Sequence, residues 1–105
     1  QRLGEFLRKN GELDDSEAMG KRSLEINRTI LGEEHIDTAT SYNNIGLVLE
    51  SKGDLDASFF MHGRALAVRR HILGEKDVST AESYDNIGSV LEAKGDYDTS
   101  LEMYH

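Results

Sequence analysis

Apolar residues in the middle of the chain recur with the period of an α-helix. Between positions 38 and 51 they fall at Ala39, Tyr42, Ile45 and Leu49, at steps of three and four residues. This spacing places the four side chains on one face of a helix. The pattern therefore predicts a helix with one buried face.

The ends of this helix carry their own signals. Asp37 and Thr38 have side-chain oxygens that can accept from the free N–H groups of a first turn, so we expect them to cap the helix. Gly53 can adopt the positive φ of a helix C-cap, and Asp54 suits the N-cap position of a following helix. That second helix should end before Gly74.

Residues of the same type recur at a spacing of 42 along the whole chain. The recurring sets are Gly4, Gly46 and Gly88; Gly11, Gly53 and Gly95; Gly32 and Gly74; and Met19, Met61 and Met103. The spacing predicts a unit of a helix of about 14 residues, a tight turn and a helix of about 18. A single hairpin of this kind cannot bury its apolar face, so we expect an all-α stack of about two and a half units.

The repeat boundaries divide the chain into three parts. These are 1–31, 32–73 and 74–105. In the first, a cropped helix from Gln1 to Lys9 should turn at Gly11 into a second helix over 13–31. In the third, a helix over 79–93 should turn at Gly95 into a cropped second helix. Because the chain opens on glutamine, we interpret it as a piece of a longer array.

The repeated residues resemble the tetratricopeptide repeat (TPR) pattern. In the second unit they are Tyr42, Ile45, Gly46, Leu49, Gly53, Leu55, Ser58, Ala65 and Leu66. A 42-residue unit with the linker Leu31-Gly32-Glu33-Glu34-His35 is similar to the kinesin-light-chain type of TPR. This resemblance implies a right-handed α-solenoid of antiparallel helix hairpins. A HEAT or armadillo array has a compatible period but lacks this glycine signature.

Several positions depart from the resemblance. Ile36 and Val78 stand where the family usually has proline, so we expect less rigid linkers. Ser58 stands where alanine is usual. Gly20 and Ser23 replace a large residue and an alanine, which predicts looser packing of the first unit.

Two glycines fall in the middle of predicted helices. Gly46 and Gly88 each cost about 0.5–1 kcal/mol relative to alanine at such a position. We therefore expect the partner helix to approach closely at both glycines.

Composition excludes several classes of function. The chain has 20 Asp and Glu against 12 Lys and Arg, a net charge of −8. This balance argues against binding nucleic acid or an anionic membrane, since both need a basic surface. The absence of cysteine removes disulfides, a thiolate nucleophile and a thiolate zinc site. Cysteine content alone fixes no compartment, and our expectation is a cytoplasmic protein.

The remaining residue patterns predict no catalytic, cofactor or metal site. His62 aligns with Tyr104, a large packing position, so we expect a structural role. His71 and Glu75 lie four residues apart, but Gly74 intervenes and two ligands do not make a transition-metal site. No Ser-His-Asp arrangement or phosphate-binding loop is present, and we expect no enzyme activity.

The resemblance implies that an extended peptide binds in a concave groove lined by the first helix of each unit. The groove positions are those between the core positions: Thr40, Asn43, Asn44, Leu47, Glu50, Glu82, Asp85, Asn86, Ser89 and Glu92. Asn44 and Asn86 match a groove asparagine of the kinesin-light-chain type, whose amide suits a peptide backbone. The alternative is that each asparagine only satisfies a neighbouring helix.

The charge of these groove positions predicts the kind of peptide. Four of them are acidic and none is basic, so we expect a neutral or basic segment, bound in a salt-sensitive way. Acids that only keep the surface soluble remain the alternative. The leading hypothesis is a protein-interaction module, and the second is a structural spacer or self-assembly repeat without a specific peptide ligand.

Two features could support self-association. Phe59 and Phe60 stand where the family usually has polar residues or proline, so the pair marks either an association patch or a locally deeper core. The cropped ends, with apolar faces near Leu3 and Leu101, could stack into a homodimer.

Overall fold

The computed structural model describes residues 2–103 as four helices, with side chains described for residues 10–96. The helices are α1 (Arg2–Leu31), α2 (Ile36–Lys52), α3 (Leu55–Leu73) and α4 (Val78–Met103). Residues 2–103 contain no strand. Each helix packs on the next in chain order, and α2 also touches α4. This is the all-α helical-repeat solenoid that the sequence predicts.

Helices α2 and α3 form the complete hairpin. Gly53 ends α2 in the left-handed conformation, with φ of 86°, and its N–H donates to the carbonyl of Glu50. The N–H of Asp54 donates to the carbonyl of Leu49, which completes the cap. Asp54 occupies the N-cap position of α3 as predicted, but its side chain makes no capping hydrogen bond.

The start of α2 differs from the prediction. The helix begins at Ile36, and its N-cap is His35, whose Nδ1 accepts from the N–H of Asp37 at 3.0 Å. The predicted caps, Asp37 and Thr38, therefore lie inside the first turn. The Thr38 hydroxyl instead donates backwards to the carbonyl of Gly32 at 2.7 Å.

The predicted turns at Gly11 and Gly95 are wrong. Helix α1 passes through Gly11 without a break, and α4 passes through Gly95 in the same way. A glycine permits a left-handed turn but does not enforce one, and a continuous helix pairs the backbone groups that a turn exposes. The turn at Gly53 is set by the packing of α2 against α3, which Gly11 and Gly95 lack.

The core lies at the junction of α1, α2 and α3. Its buried apolar residues are Leu24, Tyr42, Ile45, Leu49 and Ala65. Among the described side chains, as many buried residues are polar or charged as are apolar, and the polar and charged ones are Thr38, Ser41, Asn43, Ser58, His62, Arg69, Thr80 and Ser83. The stack is therefore held by directed hydrogen bonds as well as by apolar contact.

Close helix approach is confirmed at Gly46 and absent at Gly88. A Cβ on Gly46 would lie 2.8 Å from the imidazole of His62, and Ser58 donates to the Gly46 carbonyl at 2.7 Å. A Cβ on Gly88 would meet no atom within 4 Å. The expectation for Gly88 is wrong because, within the described structure, no second helix covers that part of α4.

At Gly20 and Ser23 themselves α1 packs closely on α2, although Leu24 is the only buried side chain among residues 10–31. A Cβ on Gly20 would lie 2.9 Å from Cγ1 of Ile45, so the missing side chain lets α1 approach α2 closely. The Ser23 and Ser41 hydroxyls lie 3.1 Å apart and share a hydrogen bond.

Candidate functional site

Hydrogen bonds between each linker and the helix that follows it repeat with the same 42-residue period as the sequence. Thr38 donates to the carbonyl of Gly32 at 2.7 Å, and Thr80 donates to that of Gly74 at 2.8 Å. Asp77 takes the capping role of His35 in the next unit, where its carboxylate accepts from the N–H of Ser79 at 2.8 Å. The same backbone geometry is thus produced twice.

A second repeated contact joins the linker to the first helix of each unit. The Tyr42 hydroxyl donates to the Glu33 carboxylate, and the Tyr84 hydroxyl donates to that of Glu75. Glu33 also pairs with Arg28 and Arg64. Burial opposes ionisation of Glu33, but the Tyr42 hydroxyl and these guanidinium groups outweigh it and lower the pKa of Glu33.

A third repeated contact includes a residue that the sequence reasoning missed. Asn27 donates to the hydroxyl of Ser41 at 2.9 Å, and its counterpart Arg69 donates to that of Ser83 at 3.0 Å. Arg69 is buried, and its guanidinium lies 3.8 Å from Glu82. Its alignment with Asn27, a residue of very different charge, was the available signal.

The predicted groove positions meet where α2 and α4 lie side by side. Asn86 donates to the side-chain oxygen of Asn43 at 2.8 Å, and Asn43 donates to Glu82 at 3.4 Å. One turn further along, the Ser89 hydroxyl donates to Glu50 at 2.7 Å. These polar contacts fix the spacing of the two helices on this surface.

The other groove positions of α2 and α4 are exposed. The Thr40 hydroxyl donates to the carbonyl of Ile36, within the same helix. Leu47, Asp85 and Glu92 lie open to solvent. Three polar contacts between α2 and α4 form the floor, and these exposed side chains are what a ligand on this surface would meet.

The two predicted peptide-contacting asparagines lie in different surroundings. Asn86, on α4, is half-buried at the contact with α2, and its amide nitrogen donates to the side-chain oxygen of Asn43. Asn44 is exposed and turns toward α1, where it lines a shallow cleft of about 470 Å³ with Met19, Gly20 and Val48. The structure therefore does not bring Asn44 and Asn86 together.

The groove surface is acidic, with one internal counter-charge. Glu50, Glu82, Asp85 and Glu92 contribute four carboxylates. Arg69 approaches Glu82 from α3 and offsets part of that charge. Asp85 and Glu92 have no cationic partner among the described residues and dominate the exposed field of this surface.

His62 is a buried titratable group beneath this surface. It is fully buried on α3 against Gly46, and neither ring nitrogen has a hydrogen-bond partner among the described residues. Burial lowers the pKa of His62, and the charge of Arg69 acts in the same direction, while Glu50 and Glu82 act against it. His62 therefore packs as a neutral ring.

The Phe59 and Phe60 side chains lie on the outer surface of α3, both exposed. The alternative of a locally deeper core is therefore wrong. The Arg64 guanidinium lies 6.0 Å from the centre of the Phe60 ring and also pairs with Glu33 at 3.1 Å. The pair remains a candidate association patch.

The part of the chain that the structure describes has neither a metal-binding cluster nor a membrane-spanning helix. No group of three or more His, Cys, Asp or Glu side chains there has the geometry to hold a metal ion. None of its helices combines the length and apolar character needed to span a membrane.

Stacked helical hairpins with a hydrogen-bond set that repeats every 42 residues define an α-helical repeat protein. Family models described as tetratricopeptide repeat match residues 1–71 and residues 81–104. The chain therefore belongs to the tetratricopeptide repeat family, a class of non-catalytic modules that mediate protein–protein interaction. A comparison with the curated proteins found no match.

Proposed function

We propose that this protein holds an extended peptide segment of a partner, neutral or basic, along the surface where α2 and α4 lie side by side. We further assign it to the kinesin-light-chain type of repeat, because of its 42-residue period and its Leu31-Gly32-Glu33-Glu34-His35 linker. The observation that carries the peptide proposal is the acidic surface formed by Glu50, Glu82, Asp85 and Glu92. A cytoplasmic location is part of the same proposal.

The floor of the groove supports backbone recognition. Hydrogen bonds from Asn86 to Asn43 and from Asn43 to the Glu82 carboxylate hold these side chains in fixed positions. An asparagine amide carries both donors and an acceptor, so it can pair with a peptide backbone whatever the peptide sequence. A preformed floor also reduces the ordering cost of binding.

The exposed carboxylates support selection by charge. Asp85 and Glu92 are exposed, and neither forms an ion pair with another described residue. A Lys or Arg side chain of the peptide would reduce the repulsion between these acids, whereas an acidic peptide would increase it. Leu47, exposed on the same surface, offers an apolar contact beside them.

The proposal is tested with two peptides of equal length, one carrying Lys and the other Glu at the same positions. We expect tighter binding of the basic peptide, and weaker binding as salt rises from about 0.05 M to about 0.5 M, because screening shortens the reach of exposed charges. The combined variant Asp85→Asn and Glu92→Gln should bind the basic peptide severalfold more weakly. Glu25→Gln, an exposed carboxylate on α1, is the matched control and should change nothing.

Two outcomes would overturn the proposal. Tighter binding of the acidic peptide would remove the charge argument. Equal and weak binding of both peptides, unaffected by the groove variant, would favour the second hypothesis of a structural spacer or self-assembly repeat.

A further inference from the structure

The face of α4 that should meet a second helix is open. Tyr84, Gly88 and Leu91 are the 42-residue counterparts of Tyr42, Gly46 and Leu49, which α3 and the core cover. Tyr84 and Leu91 are exposed, and no described atom of another element would lie within 4 Å of a Cβ on Gly88.

A complementary vacancy lies at the other end of the stack. The cleft of about 470 Å³ between α1 and α2 is lined by Ser16, Met19, Gly20 and Val48, among others. Their counterparts in the next unit include Ser58, Met61 and His62 on α3 and Val90 on α4, and the helix seated among those counterparts is α2.

The internal repeat therefore indicates which element fits the cleft. It is the first helix of a repeat unit, such as α2 or α4. Helix α2 is already in place within the stack, and α1 makes no contact with α4 in the described structure. We propose that a second copy of this chain supplies the helix, with α4 of one copy seated in the α1–α2 cleft of the other. This self-association does not depend on the proposed peptide binding, although Asp85 belongs to both proposed surfaces.

The charges on the two faces match. Inside one copy, Arg64 of α3 donates to Glu33 and lies over the Tyr42 ring. The counterparts are Arg22 on α1 and the Glu75–Tyr84 pair, and Arg22 is exposed with no partner among the described residues. Docking places Arg22 of one copy at Glu75 and Tyr84 of the next.

Two further contacts follow from the same alignment. Ser16 would donate to the Gly88 carbonyl, as Ser58 donates to that of Gly46. Asn44 would donate to the Asp85 carboxylate, as Asn86 donates to Asn43. Val48, now half-buried, would be covered as Val90 is within the chain.

The straight helices agree with this arrangement. Because α1 and α4 continue through Gly11 and Gly95, they are single long helices of 30 and 26 residues. In the docked pair, α1 of one copy and α4 of the other would run antiparallel, as α2 and α3 do. The helix–helix contacts that a hairpin makes within one chain would then form between two copies. Exchange of an identical element between copies is a low-cost route to association, and a head-to-tail contact leaves an open face at each end.

The contact is tested by sedimentation velocity or light scattering over a concentration series, without peptide. The parent chain should show concentration-dependent dimers and larger species. Leu91→Glu should weaken association about tenfold or more, since a buried leucine is replaced by a charge. Ile72→Glu introduces the same charge on α3, on no proposed face, and should leave association unchanged.

A mixing experiment tests the charge pair itself. Arg22→Glu and Glu75→Arg should each associate more weakly than the parent, because each places like charges at the contact. An equimolar mixture should recover parent-like association, because each variant's changed side chain meets its opposite on the other variant. Spectra of the isolated variants confirm that both remain helical.

Three outcomes would overturn the proposal. One is a parent chain that stays monomeric at every accessible concentration. Another is association that survives Leu91→Glu but is lost in Phe60→Glu, which would assign the contact to the Phe59–Phe60 patch. The third is a mixture that associates no better than its separate components.

Discussion

Helix α2 and the first half of α4 carry matching residues 42 positions apart but lie in different surroundings. Tyr42 is 4% exposed and its counterpart Tyr84 is 42% exposed. Leu49 is 5% exposed and Leu91 is 51% exposed. The same sequence pattern therefore gives a buried face in one helix and an open face in the other.

The difference shows which features of each helix depend on its adjoining linker and which depend on packing against another helix. The capping and linker contacts recur in both helices: Thr38 and Thr80 bond to the preceding glycine carbonyl, and Asp77 caps α4 as His35 caps α2. Those contacts need only the adjoining linker. Burial of the apolar face needs a neighbouring second helix, which α3 supplies to α2.

The largest expected difference between the two helices is in the cost of a leucine truncation. Leu49→Ala should lower the free energy of unfolding by about 2–5 kcal/mol, since it leaves a cavity in the core. Leu91→Ala should change it by about 0.5 kcal/mol or less, as for an exposed residue. Urea denaturation at low protein concentration measures both, and equal costs would contradict the comparison.

The paired glycines should respond with opposite signs. Gly46→Ala should destabilise the fold by about 1–3 kcal/mol, because its Cβ would press on the His62 ring. Gly88→Ala should stabilise the fold by roughly 0.5–1 kcal/mol, because alanine favours the helix and has room there. Thermal unfolding of the two variants checks the signs. Destabilisation by both would mean that α4 is covered after all.

His62 should make the complete hairpin sensitive to acid. Its folded pKa lies below the ordinary 6.5, so the unfolded chain takes up the proton first as pH falls. Stability should therefore fall below about pH 6.5, by up to about 1.4 kcal/mol per pH unit, until the folded ring also protonates.

The acid sensitivity is assigned by substitution. His62→Phe should flatten the stability profile between about pH 7.5 and 5.5, a range in which unperturbed carboxylates stay ionised. His71→Phe, at an exposed position, should leave it unchanged. A profile that His62→Phe does not alter would place the sensitivity elsewhere.

The smallest expected effect concerns the start of α4. Val78 is its first residue and is 83% exposed, so Val78→Pro loses little contact and suits the first helical position. In the matching unit, His35 directly precedes α2 and has an extended backbone. This is the conformation that a residue before proline adopts. We expect a gain of about 0.4–1 kcal/mol in calorimetry; a loss would show that α4 begins differently from α2.

The α2–α3 hairpin could be predicted from the sequence because local pattern and packing agree there. The steps that bury Tyr42, Ile45 and Leu49, and the turn at Gly53, are visible in the residues alone. Gly11 and Gly95 carry the same turn signal without a packed hairpin to enforce it, and there the prediction failed.

The groove positions remain a prediction from the sequence, and the contacts of their side chains could not be predicted from it. Periodicity indicates that Asn43 and Asn86 point away from the apolar face. It does not indicate that they bond to each other, because that depends on the offset between α2 and α4. Arg69 was missed because it reaches Glu82 from α3, a helix outside the predicted groove.

The most direct test of the interaction role is an amide chemical-shift titration of the labelled chain with the basic peptide. The account predicts shifts concentrated at the exposed groove positions of α2 and α4, around Leu47, Glu50, Ser89 and Glu92, and weakened by salt. Shifts centred on Phe59 and Phe60, or no saturable shifts at all, would contradict it.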